Sequence, residues 1–148
     1  DEQEPPLLIP IPSTPSKLRQ RGYNPVEQIA RGWVQQAKRN HRPAPRLESR
    51  ILLRHDNGAS QSRRTGKDRA RSAQAREASP SDPSHGTAGF YLGPGAKPAL
   101  HARRDIVLLD DVMTSGSTLY ELAGMLLQAG VMSVQAWVVA RTPEPGDG

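Results

Sequence analysis

The sequence predicts an α/β domain: a mainly parallel sheet flanked by helices, with a long flexible lid loop. Three observations lead there. Ile106–Leu109 is apolar at every position, without the alternation of a half-exposed strand, which marks a strand buried on both faces as in parallel sheets. Apolar strand segments alternate with stretches whose apolar residues recur at helical spacing, in the order strand–helix–strand, long unpatterned segment, strand–helix–strand. Two loops of small hydroxyl residues follow the first and the central strand, at the carboxyl ends where such sheets present their ligand crevices. The 148 residues are expected to form a single domain.

Composition narrows the class. Hydrophobic residues make up 35%, against 14 prolines and 13 glycines, so long irregular segments are expected around a compact sheet. There is no cysteine, which excludes disulfides and thiolate metal sites. No apolar run approaches the length of a membrane span and no secretory leader is visible, so the cytoplasm is the expected location. The formal charge of +5 and pI near 10.1 suit a polyphosphate ligand, and equally suit weak contact with DNA.

In chain order, Leu7–Ile11 reads as a short strand near its end, interrupted by Pro10. Pro12–Gly22 reads as a loop carrying Ser13, Thr14, Lys17, Arg19 and Arg21, either a second phosphate site or a solvated basic turn. Asn24-Pro25-Val26-Glu27 starts a helix: Asn24 caps, Pro25 suits the first helical position and Glu27 adds negative charge to the first turn. Val26, Ile29, Ala30, Trp33, Val34 and Ala37 fall on its buried face, Trp33 as core. Arg46–Leu53 offers a second strand. Arg54–His85 has no clear period, and within it seven Lys/Arg (54, 63, 64, 67, 69, 71, 76) face two Asp (56, 68) between Arg54 and Arg76. A solvated basic loop, a mobile lid beside a diphosphate, and a nucleic-acid contact without stacking aromatics all fit it; the flexible loop is expected to span 54–88. Gly89–Leu92 is a short strand candidate, and 101–104 leads into the central strand. Leu119, Leu122, Ala123, Leu126 and Leu127 form a helix face that Gly130 ends, Val131–Ala140 is the last strand, and 141–148 is a loose tail.

Chemistry concentrates in Ile106–Thr118, Ile-Val-Leu-Leu-Asp-Asp-Val-Met-Thr-Ser-Gly-Ser-Thr. The loop Thr114, Ser115, Gly116, Ser117, Thr118 has little bulk, so its N–H groups and hydroxyls can close around an oxyanion at the positive end of the following helix. Asp110 and Asp111 just before it can accept from sugar hydroxyls or face a hydrated divalent cation. Together they suit a phosphorylated sugar; an ordinary strand–turn–helix with an exposed Asp-Asp turn is the plain alternative.

This stretch resembles the signature of the type I phosphoribosyltransferases, which bind 5-phosphoribosyl-1-diphosphate (PRPP), at every position. Ile9–Pro12, Arg19–Asn24, Glu27, Ala30, Leu52–Arg54, Gln61, Val134–Trp137 and Arg141-Thr142 are similar to the ComF/GntX branch, the competence protein F-like proteins. The resemblance implies that Asp110 and Asp111, the catalytic pair, bind the ribose hydroxyls of PRPP and that Thr114–Thr118 hold its 5-phosphate. It assigns the diphosphate to Ser13, Thr14 and the neighbouring Lys17 and Arg19. A lid within 54–85 would close over the reacting carbon, with Gln61, Arg64, Lys67 and Arg69 as its candidates. Mg²⁺ would arrive with PRPP near the acidic pair, without direct protein ligands. Arg64 stands where relatives carry a leucine and Ser72 where they carry an asparagine. Relatives often have a cysteine-rich, zinc-binding N-terminal segment, so the chain is expected to be N-terminally truncated.

Three functions follow as expectations. The first is phosphoribosyl transfer from Mg-PRPP to a nitrogen acceptor with release of diphosphate. The second is PRPP or nucleotide sensing without turnover, and the third is a DNA-uptake or competence factor built on the same fold. A homodimer is a further expectation.

Overall fold

The structure, a computed structural model, describes residues 4–56, 89–101 and 105–143. Its elements are β1 (Leu7–Pro10), α1 (Pro15–Arg21), α2 (Pro25–Arg39), β2 (Arg46–Leu47), β3 (Leu52–Arg54), β4 (Phe90–Leu92), α3 (Ala96–His101), β5 (Asp105–Met113), α4 (Ser117–Gln128) and β6 (Ser133–Arg141).

Four strands form one sheet in the order β2-β1-β5-β6, every pair parallel. The fold class is therefore α/β with a parallel sheet flanked by helices. Ile106–Leu109 lies at its centre, and all four residues are buried. The absence of alternation has a direct cause. Ile106 and Leu108 join Leu7, Ile9, Leu122 and Leu126 of the core beneath α4. Val107 and Leu109 join Leu8, Val26 and Ala30 of the core beneath α2. Both faces of β5 are covered, so every position must be apolar.

The connections set the site. From β1 the chain crosses over through α2 to β2, and from β5 it crosses through α4 to β6, moving outward in opposite directions. Right-handed crossovers running in opposite directions must lie on opposite faces, and the two separate cores show that they do. The chains diverge between β1 and β5, and at such a switch point the loops part to leave a crevice beyond the strand ends.

Local chemistry accounts for the helix ends. Asn24 accepts from the Val26 N–H at 3.1 Å, and Pro25 opens α2 as expected. Val26, Ala30 and Ala37 are buried and Trp33 and Val34 pack partly against them, but Ile29 is exposed. Trp33 reaches past the helix to Trp137 of β6, with ring centroids 4.5 Å apart. On α4, Leu119, Leu122 and Leu126 are buried, Ala123 packs against them, and Leu127 is exposed.

Five readings are corrected. Pro12–Gly22 is not all loop, because Thr14 caps α1, Pro15 starts it and Gly22 ends it at φ 80°. This seven-residue helix buries none of its side chains, so it carries no apolar stripe to read. Arg46–Leu53 is two strands. Arg46-Leu47 pairs with β1, whereas Leu52–Arg54 pairs antiparallel with Phe90–Leu92 in a separate two-stranded sheet. The approach to β5 contains α3, short and with Pro98 inside it. Arg54 to Asp56 do not belong to a loose loop: Arg54 is in β3, the His55 N–H donates to the Gly89 carbonyl at 2.7 Å, and His55 stacks on Tyr91. Arg141 ends β6, and the Thr142 N–H donates to the Met113 carbonyl at 3.0 Å, so these two residues do not belong to a loose tail. No described helix is long and apolar enough to cross a membrane.

Candidate functional site

Asp110 and Asp111 sit near the carboxyl end of β5. The Asp110 Oδ1 accepts the Asp111 N–H and the Asp111 Oδ1 accepts the Val112 N–H, each at 2.8 Å. These short-range bonds fix both carboxyl groups against the strand. Asp110 is half-buried, and burial, with the Asp111 carboxyl beside it, raises its pKa above the ordinary aspartate value. The nearby Arg54 guanidinium acts in the opposite direction and lowers it.

Past Met113 the chain turns through Thr114–Gly116 into α4. Gly116 holds φ 77°, which an L side chain adopts only under strain, and a Cβ there would lie 3.3 Å from the Met113 sulfur. The Ser115 hydroxyl donates to Ser117 Oγ at 3.0 Å, which narrows the turn. The N-cap residue of α4, Gly116, has no side chain to cap it, and of the first-turn N–H groups that of Ser117 meets the Ser115 hydroxyl at 3.4 Å. A recess of about 50 Å³ lies here, walled by Asp110, Thr114, Ser115, Gly116, Ser117 and Thr118 among others. It is several times the space one water needs, roughly 10–15 Å³. A helix start without a side-chain cap, a glycine and four hydroxyl side chains are groups that can hold an anion. Asp111 is not on its wall.

The second loop runs beside it. Pro10 pairs with Leu109, and the Ile11 N–H donates to the Leu109 carbonyl at 2.9 Å, so Pro12–Thr14 emerge next to Asp110. Ser13 donates to Asn24 Oδ1 at 3.2 Å, and the Thr14 hydroxyl accepts the Lys17 N–H at 3.4 Å. Both hydroxyls thus help to hold the start of a helix. Lys17 and Arg19 lie on α1 and are exposed. Arg19 bonds to Asp56 at 2.9 Å, and Ser16 bonds to the same carboxylate at 2.7 Å. A cavity of about 250 Å³ lies between this loop and the β3–β4 hairpin, lined by Pro12, Ser13, Asn24, Glu27, Arg54 and Tyr91 among others. Ser13 of the proposed diphosphate set is on its wall; Thr14, Lys17 and Arg19 are not.

The lid candidates Gln61, Arg64, Lys67 and Arg69 fall outside the described residues. Among the described residues Arg54 lies near enough to act on Asp110, and the sequence showed it only as the first of a basic run. Its position after the apolar Ile51–Leu53 was the available signal, because a strand can fix what a loop cannot. Among the described residues no three His, Asp or Glu side chains converge on one point.

Fold and site together define an α/β protein with a parallel sheet whose switch-point crevice carries an acidic pair and a hydroxyl-lined recess. No protein-family model matches the chain, and no solved structure matches it. It is similar over 39 residues, at 49% identity, to the DNA utilization protein YhgH of Escherichia coli K12 and of Shigella flexneri. The Salmonella typhi protein of the same name is 49% identical over 37 residues. The Escherichia coli match takes in 26% of this chain and 17% of the relative.

Proposed function

We propose that this chain binds PRPP and transfers its phosphoribosyl group to a nitrogen acceptor with release of diphosphate. The observation that carries the reading is the adjacency at the switch point. A hydroxyl-lined recess and an acidic pair lie at the end of β5, directly beside the loop that leaves β1. On this reading the recess of Thr114–Thr118 takes the 5-phosphate, and Asp110 with Asp111 accept hydrogen bonds from the ribose hydroxyls. The β1 loop and the start of α1, with Ser13, Thr14, Lys17 and Arg19, face the diphosphate. Ser13 and Thr14 would exchange their capping partners for phosphate oxygens. Arg54, close to Asp110, adds positive charge to the same crevice.

In the reaction the bond from ribose C1 to the diphosphate oxygen breaks, and the diphosphate leaves with the electron pair. A bond from the acceptor nitrogen to C1 forms, and the acceptor's N–H proton passes to the departing diphosphate or to water. Positive charge develops on the sugar and negative charge on the leaving group, so fixed N–H groups and cations at the diphosphate stabilise the transition state. Mg²⁺, held near Asp110 and Asp111 through the ligand, would neutralise part of the diphosphate charge. No protein nucleophile is required.

Titration calorimetry of Mg-PRPP into the wild-type chain and into Asp110→Asn/Asp111→Asn tests the reading. Binding that the double variant loses supports it. No binding by the folded wild-type chain would sink it. Binding without turnover against a panel of amines and nitrogen heterocycles would favour a PRPP sensor.

The short similarity to proteins named for DNA utilization, with the +5 charge, favours one other reading, a DNA-associated factor. Its mark would be steeply salt-dependent DNA binding that survives Asp110→Asn/Asp111→Asn.

A further inference from the structure

The outer edge of the sheet is an unusual surface. β6 is nine residues long, and among the described residues no strand pairs with its outer side. From Ser133 to Ala140 it has no charged residue and no proline. Edge strands normally carry such residues, or are short or bulged, because a bare row of N–H and C=O groups is a template for another strand. Here the edge also presents apolar side chains: Val139 is 64% exposed and Trp137 is 38% exposed.

We propose that two copies of this chain join through β6, antiparallel, with the twofold axis through Trp137, and so double the four-stranded sheet into one continuous sheet. The register follows from the strand itself. Trp137 is the middle residue of Ser133–Arg141, so centring there pairs all nine residues and sets Ser133 opposite Arg141 of the second copy. Side chains directly opposite share a face. Asp105, at the parallel rung beside Ser133 and hydrogen-bonded to its hydroxyl, lies on that same face. Arg141 of the second copy then stands two strand spacings from Asp105, roughly 10 Å between backbones and within reach of an arginine side chain. The twofold makes this opposite-charge contact twice. At the axis the two Trp137 rings meet, each backed by Trp33 of its own copy. A surface that meets itself through complementary charge and a shared register is what an isologous dimer requires. This choice selects a second copy over an unrelated strand, whose charges would have no reason to match Asp105 and Arg141.

Sedimentation equilibrium of the full chain tests the proposal. A concentration-dependent dimer is expected. Val139→Lys, at an exposed position, should weaken it by at least tenfold while circular dichroism, and thermal unfolding at concentrations where wild type is monomeric, stay as in wild type. Asp105→Arg and Arg141→Asp should each weaken the dimer, and the double variant should recover it. A wild-type chain that stays monomeric at every concentration overturns the proposal. So does a dimer indifferent to Val139→Lys, or a charge exchange that fails to recover association.

Discussion

The Ile11 N–H donates to the Leu109 carbonyl at 2.9 Å, one rung beyond the last paired residues of β1 and β5. This bond holds the exit of the first strand against the residue before Asp110. The two loops therefore leave the sheet side by side, while their helices diverge to opposite faces. A ligand spanning both loops is held by groups whose spacing the sheet fixes, not by the loops themselves.

Arg54 extends that arrangement from the hairpin. On the proposed reading, Arg54→Met should weaken Mg-PRPP binding by about tenfold, or ~1.4 kcal/mol. Arg54→Lys should recover part of it, since the charge returns without the planar fork. Calorimetry distinguishes these, and an undiminished affinity in the Met variant would remove Arg54 from the site.

Asp110 should make stability depend on pH. Its folded pKa is raised by burial and by Asp111, so the folded state holds the proton more tightly than the unfolded chain does. Its contribution favours folding when protonated and is lost as pH rises from the unfolded value through the raised folded one. Asp110→Asn keeps the Oδ1 acceptor for the Asp111 N–H. It should be as stable as wild type or more so at pH 7, as expected at a site shaped for binding. The gap should close in acid. Thermal unfolding across pH measures it, and a variant clearly less stable at pH 7 would contradict the assignment.

Asp56 should respond with the opposite sign. The Ser16 hydroxyl, followed by Arg19, holds its carboxyl below the ordinary value of 3.8. Its tether between α1 and the hairpin is complete above that value and is lost as pH falls through the lowered one. Hydrogen exchange at the Leu18 and Gly22 amides, which bond to the Thr14 and Leu18 carbonyls, reports the helix. Asp56→Asn should lower their protection factors at neutral pH, and strong acid should do the same to wild type. Equal exchange rates in the two proteins at neutral pH would show that the tether does not order α1.

Two glycines should be costly to replace, for different reasons. A Cβ at Gly93 would lie 2.2 Å from the Arg50 carbonyl oxygen, a backbone atom that cannot move aside alone. Gly93→Ala should cost roughly 3 kcal/mol by pushing β4 away from the Ile51–Leu53 segment. Gly116→Ala meets only the flexible Met113 side chain, so its cost is set by positive φ, about 1–2 kcal/mol. Urea unfolding of both variants tests the order; Gly116→Ala proving the more destabilising would reverse it.

The sequence by itself determined what depends on neighbours along the chain. Four consecutive apolar residues required β5 to be covered on both faces. Asn24-Pro25 set the start of α2, and small hydroxyl residues around Gly116 set the turn into α4. Periodicity and capping are local, so these were legible. Tertiary structure decided the rest. Whether 46–53 was one strand or two depended on pairing with β1 and with Phe90–Leu92, partners that a local pattern does not name. α1 left no apolar stripe because it packs nothing into the core. Arg54 came near Asp110, and Trp33 met Trp137, only because the fold brought together segments dozens of residues apart. Those contacts draw their stability from the packing of the whole domain, which no single stretch of sequence contains.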